Sequence, residues 1–173
     1  MNNKYAYAGF TLAELLAVVI IVALLSSLSL GYYKRSVEQS RFSEGLTAAS
    51  AVVEAVNQSY FDQQINGVTS PVTRPKIKTL DIELANQGGC ASANDYCIST
   101  PRFEIQVRSG GVVRAYRGST SAYKYYIEIQ PNFATSNPDQ IFCKGKDTNG
   151  NNFCQAMGYT QSGTNGYTRP AGM

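Results

Sequence analysis

The 173-residue chain contains neither histidine nor tryptophan. Histidine is the commonest general base and a frequent zinc ligand, so its absence disfavours histidine-dependent hydrolases and the usual zinc sites. The 15 basic and 12 acidic residues give a net charge of +3, which is too small to indicate a nucleic-acid partner by itself. The sequence contains no phosphate-binding loop, dinucleotide fingerprint or nucleophile–base pair. We therefore expect neither an enzyme nor a cofactor.

Formal charge is absent from the 19 residues Leu15–Tyr33. At about 1.5 Å per residue, a helix of this length just spans a hydrocarbon core of roughly 30 Å, so we predict a membrane-spanning helix. A cleaved secretory signal is the alternative, with a poor cleavage site at the small residues Ser26, Ser27 and Ser29. Lys34 and Arg35 follow the run, so the distribution of charge does not predict which end faces the cytoplasm.

The helical pattern continues beyond this apolar run. One stripe, with steps of 3 and 4 residues, comprises Phe42, Leu46, Ala49, Val53, Val56 and Tyr60. The polar residues Arg41, Glu44, Glu54 and Gln58 lie elsewhere on the helix surface. We predict a single helix from about Phe10 to about Phe61, with weak points only at Gly31 and Gly45. Its second part should bury the stripe against a domain, and Asn66-Gly67 and Pro71 should end it.

Three strands are predicted in the second half of the chain. Apolar and polar residues alternate over 103–107, which predicts the first strand. Ser109-Gly110-Gly111 is expected to form a turn, and "VVRAYR" the second, antiparallel strand. In the third strand, one face carries Tyr123, Tyr125, Ile127 and Ile129. The opposite face carries Lys124, Tyr126 and Glu128. We expect an antiparallel meander whose apolar face packs on the helical stripe.

Other predictions for this half are local. Residues 62–101 are expected to be irregular, with a loop over "QINGVTSPVTRP" and a short strand or a helical turn around Leu80, Ile82 and Leu84. A fourth strand is expected near "NNFCQAMGY", with Asn149-Gly150 as a type I′ turn. The tyrosines Tyr123, Tyr125 and Tyr126 are interpreted as sheet packing rather than as a ligand platform.

The four cysteines, an even number in a small domain beyond a membrane segment, indicate disulfides and an oxidising compartment. Three pairings are open, and we favour Cys90–Cys97 and Cys143–Cys154 because each closes a short, turn-rich loop. Without histidine or a C-x-x-C motif, a structural zinc site is disfavoured.

Two features of the sequence resemble binding sites. Asp147, Asn149 and Asn151 alternate as calcium ligands do, but the glycine falls at Gly150 and the twelfth position is Gly158 rather than glutamate. We therefore predict no metal site. The basic residues Lys144, Lys146 and Arg169 leave contact with DNA open, although a solvated surface is the simpler interpretation.

The segment Gly9-Phe10-Thr11-Leu12-Ala13-Glu14-Leu15-Leu16 and the long apolar helix behind it resemble a type IV pilin precursor. The resemblance implies an α+β pilin fold, in which a long N-terminal helix with a transmembrane first half packs on an antiparallel sheet. It also implies three regions: a cleaved leader (1–9), a transmembrane or filament-core helix (10–33) and an extracytoplasmic globular domain (34–173). Prepilin peptidase would cut between Gly9 and Phe10, and Phe10 would then be N-methylated.

The resemblance further implies a structural subunit that is held in the inner membrane and then assembled into an extracellular helical filament for motility, adhesion or DNA uptake. Its partners would be other copies of the chain, prepilin peptidase, an assembly ATPase with its membrane platform, a secretin where an outer membrane exists, and lipid before assembly. A pseudopilin of a type II secretion system and a minor tip pilin or anchored binding module are the alternatives. Gly31 departs from many type IVa pilins, which carry proline there, and Ala13 stands where many carry isoleucine or valine.

Glu14 occupies the conserved acidic position of that family. A lone carboxylate in a bilayer is costly and normally needs a partner. The amine that cleavage would create on Phe10, in the same subunit or in a neighbour, is one partner. The simpler alternative is a favourable interaction between an acidic first-turn residue and the helix dipole.

Overall fold

The computed structural model describes residues 10–67, 74–84, 88, 90, 95–161 and 166–168. One helix, α1, runs from Leu12 to Ile65. The chain divides into two compact units with the boundary between Ser40 and Arg41, inside this helix. The expected architecture, a long N-terminal helix with an antiparallel sheet behind it, is confirmed.

In the first unit α1 is apolar and its large side chains are exposed. Leu15, Val19 and Leu24 have between 55 and 62 % of their surface accessible. An 18-residue window of α1 has a mean hydropathy of 2.4 with none of it buried, which makes α1 the one helix of the described residues that is long and apolar enough to cross a membrane. Gly31 is helical and does not interrupt α1.

In the second unit α1 buries the predicted stripe. Phe42, Ala49, Val53 and Val56 are at most 6 % exposed, while Leu46 packs at the margin of the core. The prediction that Asn66-Gly67 ends the helix is confirmed, because the amide of Asn66 donates to the carbonyl of Asp62 (3.1 Å) and both residues form a turn. The helix therefore extends four residues past the expected end.

The sheet contains seven antiparallel strands in the spatial order β1-β2-β3-β4-β5-β7-β6. They are β1 (Cys97–Ser99), β2 (Phe103–Val107), β3 (Val113–Gly118), β4 (Tyr123–Ile129), β5 (Ile141–Gly145), β6 (Thr160–Gln161) and β7 (Tyr167–Thr168). A second helix, α2 (Thr148–Ala156), connects β5 to β6. The predicted β2-β3-β4 meander is confirmed, whereas β1, β5, β6 and β7 were not predicted.

A single row of side chains runs across the middle of the sheet toward α1. Ile105, Ala115, Ile127 and Cys143 lie opposite one another on neighbouring strands, and all four are fully buried. Such rows exist because alternate residues of a strand face the same side. They form one core with the buried stripe of α1.

Asn57 is a polar member of the buried face of α1 that the apolar pattern did not reveal. Its side chain is 6 % exposed, and its Oδ1 accepts a hydrogen bond from the amide of Asn132 (3.2 Å). A buried amide normally requires such a partner. Asn57 therefore ties the β4–β5 connection to the helix.

The predicted fourth strand near "NNFCQAMGY" is wrong, and so is the type I′ turn at Asn149-Gly150. Both segments belong to α2. The side chain of Asp147 caps this helix by accepting from the amide of Gly150 (2.9 Å). The ring of Phe153 then stacks on Tyr125, with centroids 4.7 Å apart. Capping and packing outweigh the local turn preference of Asn-Gly.

Two further predictions need correction. No strand forms at Leu80, Ile82 and Leu84; a 3₁₀ helix at Ile77–Thr79 precedes them, and the three side chains pack against the core. Tyr123 does not share the face of Tyr125, because its ring contacts Tyr126 with a centroid distance of 5.7 Å. The pairing of β3 with β4 shifts register between Tyr116 and Gly118, and this shift reverses the expected alternation.

Candidate functional site

The first turn of α1 holds Glu14 in a reciprocal arrangement with Thr11. The carboxylate oxygen Oε2 accepts from the Thr11 amide (2.9 Å) and from the Thr11 hydroxyl (2.8 Å). The amide of Glu14 in turn donates to the Thr11 hydroxyl oxygen (3.3 Å). This is a capping box, which satisfies amides that the start of a helix leaves without partners. The T-x-x-E spacing of Thr11 and Glu14 is the sequence signal of this box, which neither the helix dipole nor the Phe10 amine takes into account.

The residues around this box are exposed. Phe10 and Leu12 each expose 82 % of their surface, and apolar residues cover the helix that follows. Gly9 lies outside the described residues. What the described part presents is a capped helix start with one carboxylate and an exposed apolar surface behind it.

The cysteines form two disulfides, Cys90–Cys97 and Cys143–Cys154, with Cα–Cα distances of 5.9 and 5.6 Å. This is the pairing that the short loops favoured. Cys143 lies in β5 and Cys154 in α2, and both are fully buried. The second disulfide therefore fastens α2 to the sheet.

The side chains that resembled metal ligands have structural roles. Asp147 caps α2, and Oδ1 of Asn151 accepts from the amide of Gly145 (3.0 Å). In the described part of the chain, the one cluster of three potential ligands is Cys90, Cys97 and Glu104. Its two sulfurs are bonded to each other and are not thiolates, so the cluster lacks the donors that a zinc site needs.

Lys146 and two of the sheet tyrosines make contacts within the described part of the domain. The ammonium of Lys146 donates to the carbonyl of Ser121 (3.3 Å), and Arg169 lies outside the described residues. Tyr116 and Tyr126 are only 5 and 7 % exposed, and their ring centroids are 5.4 Å apart. Little ring surface is available for a stacked ligand, in keeping with a packing role.

The most buried ion pair found among the described residues lies on the outer face of the sheet. Nε of Arg114 donates to Glu128, and the guanidinium lies 4.9 Å from the ring centroid of Tyr126. Partial burial lowers the pKa of the Arg114 guanidinium. The hydrogen bond to Tyr116 and the charge of Glu128 outweigh this effect, so the pKa is raised above its ordinary value. Gln130 also donates to Glu128 (2.9 Å), so each carboxylate oxygen accepts a hydrogen bond from a neighbouring side chain of the sheet.

The fold and the N-terminal segment together define an α+β protein with an exposed apolar N-terminal helix and a disulfide-bonded domain. Among characterised proteins, the chain is similar to Fimbrial protein EcpC of Eikenella corrodens, with 26 % identity over 128 residues. The similarity covers 70 % of this chain and 76 % of that protein. No family model matches the chain, and no solved structure matches it.

Proposed function

We propose that this chain is a non-enzymatic structural subunit of a pilus of the type IV class, stored in the inner membrane and assembled into an extracellular helical filament. The observation that carries the proposal is the segment Gly9–Leu16 placed directly before a helix that is exposed, apolar and long enough to span a bilayer. The similarity to a fimbrial protein and the pilin-like architecture support it.

The proposal divides the chain into a leader (1–9), a membrane and filament-core helix (10–33) and an extracytoplasmic domain (34–173). Prepilin peptidase removes the leader after Gly9, and the new amine of Phe10 is methylated. Prepilin peptidase and the assembly ATPase with its platform are the proposed partners. Two disulfides suit an oxidising location for the domain.

Glu14 has an assembly role in this proposal. With the leader attached, its carboxylate is occupied by Thr11. Cleavage creates a second, charged donor at Phe10, and a neighbouring subunit supplies the same amine in a filament. An unpaired carboxylate among packed apolar helices is strongly disfavoured, so pairing Glu14 with that amine fixes how far one subunit is displaced from the next.

The decisive experiment is electron microscopy of sheared surface filaments combined with mass spectrometry of their main subunit. We expect long filaments composed mainly of this chain, with N-methylated Phe10 at the N-terminus. Absence from the filaments together with a secretion defect on deletion would instead identify a pseudopilin. A few copies at one filament end would identify a tip subunit, and a mature N-terminus beyond Ser29 would contradict the whole proposal.

A further inference from the structure

A cavity of about 490 Å³ lies beside the C-terminal end of α1, within the second unit. Its lining includes Val56, Tyr60, Arg74, Pro75, Gln130 and Phe133. The rings of Tyr60 and Phe133 are stacked, with centroids 3.8 Å apart and planes inclined by 8°. Pockets for small molecules have volumes of roughly 300–1,000 Å³ and combine an apolar lining with a few polar groups. This cavity has both properties.

The polar group that distinguishes the cavity is the guanidinium of Arg74. One of its N–H groups donates to the carbonyl of Val107, and one face lies 3.7 Å from the ring centroid of Tyr96. These two contacts fix the orientation of the side chain. A guanidinium has five N–H donors, and among the described residues this one donates to the Val107 carbonyl. Its Nε is buried and has no acceptor among the described residues.

Among the described residues, no Asp or Glu side chain forms an ion pair with Arg74. All 12 Asp and Glu residues of the chain lie in the described ranges, and the ion pairs found there involve Lys76, Lys78, Arg102 and Arg114 but not Arg74. Partial burial lowers the pKa of Arg74, the ring of Tyr96 opposes that change, and the positive charge of Arg108 adds to it. A partly desolvated cation without a counter-charge is unfavourable and attracts an anion.

We propose that this cavity binds a small organic carboxylate, whose anionic end pairs with Arg74 and whose apolar body lies against Tyr60, Val56 and Phe133. Carboxylates match the planar fork of a guanidinium and form two parallel hydrogen bonds with it. An inorganic anion would leave the apolar lining uncovered, and so would the short acidic side chain of a second copy. The inference does not depend on filament formation.

The test uses the full chain in detergent micelles and isothermal titration calorimetry with three probes: 4-phenylbutyrate, 4-phenylbutan-1-ol and inorganic phosphate. We expect saturable one-site binding of phenylbutyrate, with the alcohol and phosphate each at least about tenfold weaker. Arg74→Gln should weaken phenylbutyrate binding by about 10- to 100-fold, because it removes the charge and the fork. The matched control Arg108→Gln should keep or strengthen it, since Arg108 repels Arg74 and does not line the cavity.

Ala134→Phe provides a second variant that leaves Arg74 intact. Ala134 is a half-buried residue of the lining, and a phenyl ring there should occupy the cavity and abolish binding without removing charge. Near-ultraviolet circular dichroism verifies that each variant is folded, and if Arg74→Gln does not fold, Ala134→Phe and the comparison of probes decide. Absence of saturable phenylbutyrate binding to the wild type would overturn the proposal. An unchanged affinity for phenylbutyrate in either variant would also overturn it. Equal affinities for the alcohol and the acid would do so as well. Self-association that Arg74→Gln abolishes and phenylbutyrate does not inhibit would assign the site to a second copy instead.

Discussion

Gly45 of α1 lies directly against the ring of Phe103 in β2. A methyl group placed at Cα of Gly45 would approach Cε1 and Cζ of that ring to 2.5 Å, well inside van der Waals contact. Phe103 is 2 % exposed and belongs to the central core, so the ring has little room to move. The glycine that looked like a weak point of the helix is therefore a point of close packing between helix and sheet.

We predict that Gly45→Ala lowers the free energy of unfolding by up to about 2 kcal/mol, because an overpacking cost of about 1–3 kcal/mol offsets or exceeds the roughly 1 kcal/mol gained in helix propensity. Thermal unfolding followed by near-ultraviolet circular dichroism measures the change. Gly31→Ala is the matched control, since nothing lies within 4 Å of the added methyl group. It should be neutral or stabilising. A gain in stability from Gly45→Ala would contradict the packing argument.

The capping box allows the charge of Glu14 to be separated from its capping function. We expect Glu14→Gln to retain the cap, because an amide oxygen also accepts hydrogen bonds, but to lose filaments, because the charge needed for the Phe10 amine is gone. Thr11→Ala should cost about 1 kcal/mol of helix stability yet leave filaments in place. Electron microscopy counts filaments, and membrane fractionation checks insertion.

The reverse pattern would refute the assembly role of Glu14. Normal filaments from Glu14→Gln, together with their loss in Thr11→Ala, would show that only the helix start matters. Glu14→Ala and Glu14→Leu, which remove both cap and charge, should remain in the membrane without filaments.

The two disulfides should differ in their effect on stability. Replacing Cys143 and Cys154 together by alanine should lower the free energy of unfolding by about 2–4 kcal/mol, because it removes a cross-link and releases α2 from the sheet. The matched double variant of Cys90 and Cys97 should lose less, since Cys90 is only half-buried. Denaturant titration measures both variants side by side. An equal or larger loss of stability in the Cys90/Cys97 variant would show that fixing α2 to the sheet does not account for the difference.

Asp95, near the edge strand β1, contributes to the free energy of unfolding in a way that depends on acid pH. Its carboxylate binds the ammonium groups of Lys76 (2.9 Å) and Lys78 (3.4 Å), and hydrogen bonds from these groups lower the pKa of Asp95 below its ordinary value of 3.8. A lowered pKa in the folded state means that the contribution is present above pH 3.8 and is lost as the pH falls through the folded value.

We therefore predict that the wild type melts slightly above Asp95→Asn at neutral pH and that the difference disappears at lower pH, below the folded pKa. The effect is small because all three side chains are largely exposed. Melting temperatures of the two proteins across the acid range measure it, with Asp81→Asn as an exposed control. A difference that persists or grows in acid would have the wrong sign.

Periodicity predicted those parts of the fold that depend on one strong local pattern. The stripe from Phe42 to Val56 repeats at helical spacing, and β2 alternates around Ile105, so both could be recognised without their partners. β5 could not, because its five residues include Cys143 and end in Gly145 and carry little alternation. Its stability comes from pairing with β4, which the local sequence does not encode.

The segment after Asp147 shows how tertiary contacts override a local signal. Asn149-Gly150 is a strong hairpin signal, yet a methyl group at Gly150 would come within 2.5 Å of the carbonyl oxygen of Lys124, so the glycine serves a close approach inside the fold. The cavity beside the C-terminal end of α1 could not be predicted from the sequence either, because Tyr60, Arg74 and Phe133 are distant along the chain. The capping box differs from both, because its T-x-x-E spacing is a local signal in the sequence.

Both edge strands of the sheet are short. The outermost strands contain three and two residues, and the first is already bridged by Gly88 to Ser99. Few backbone groups in the described residues therefore remain for strand addition, the route by which exposed sheets recruit one another into uncontrolled aggregates. In the filament proposed above, subunits would therefore associate through their helices, with little competition from pairing between sheet edges.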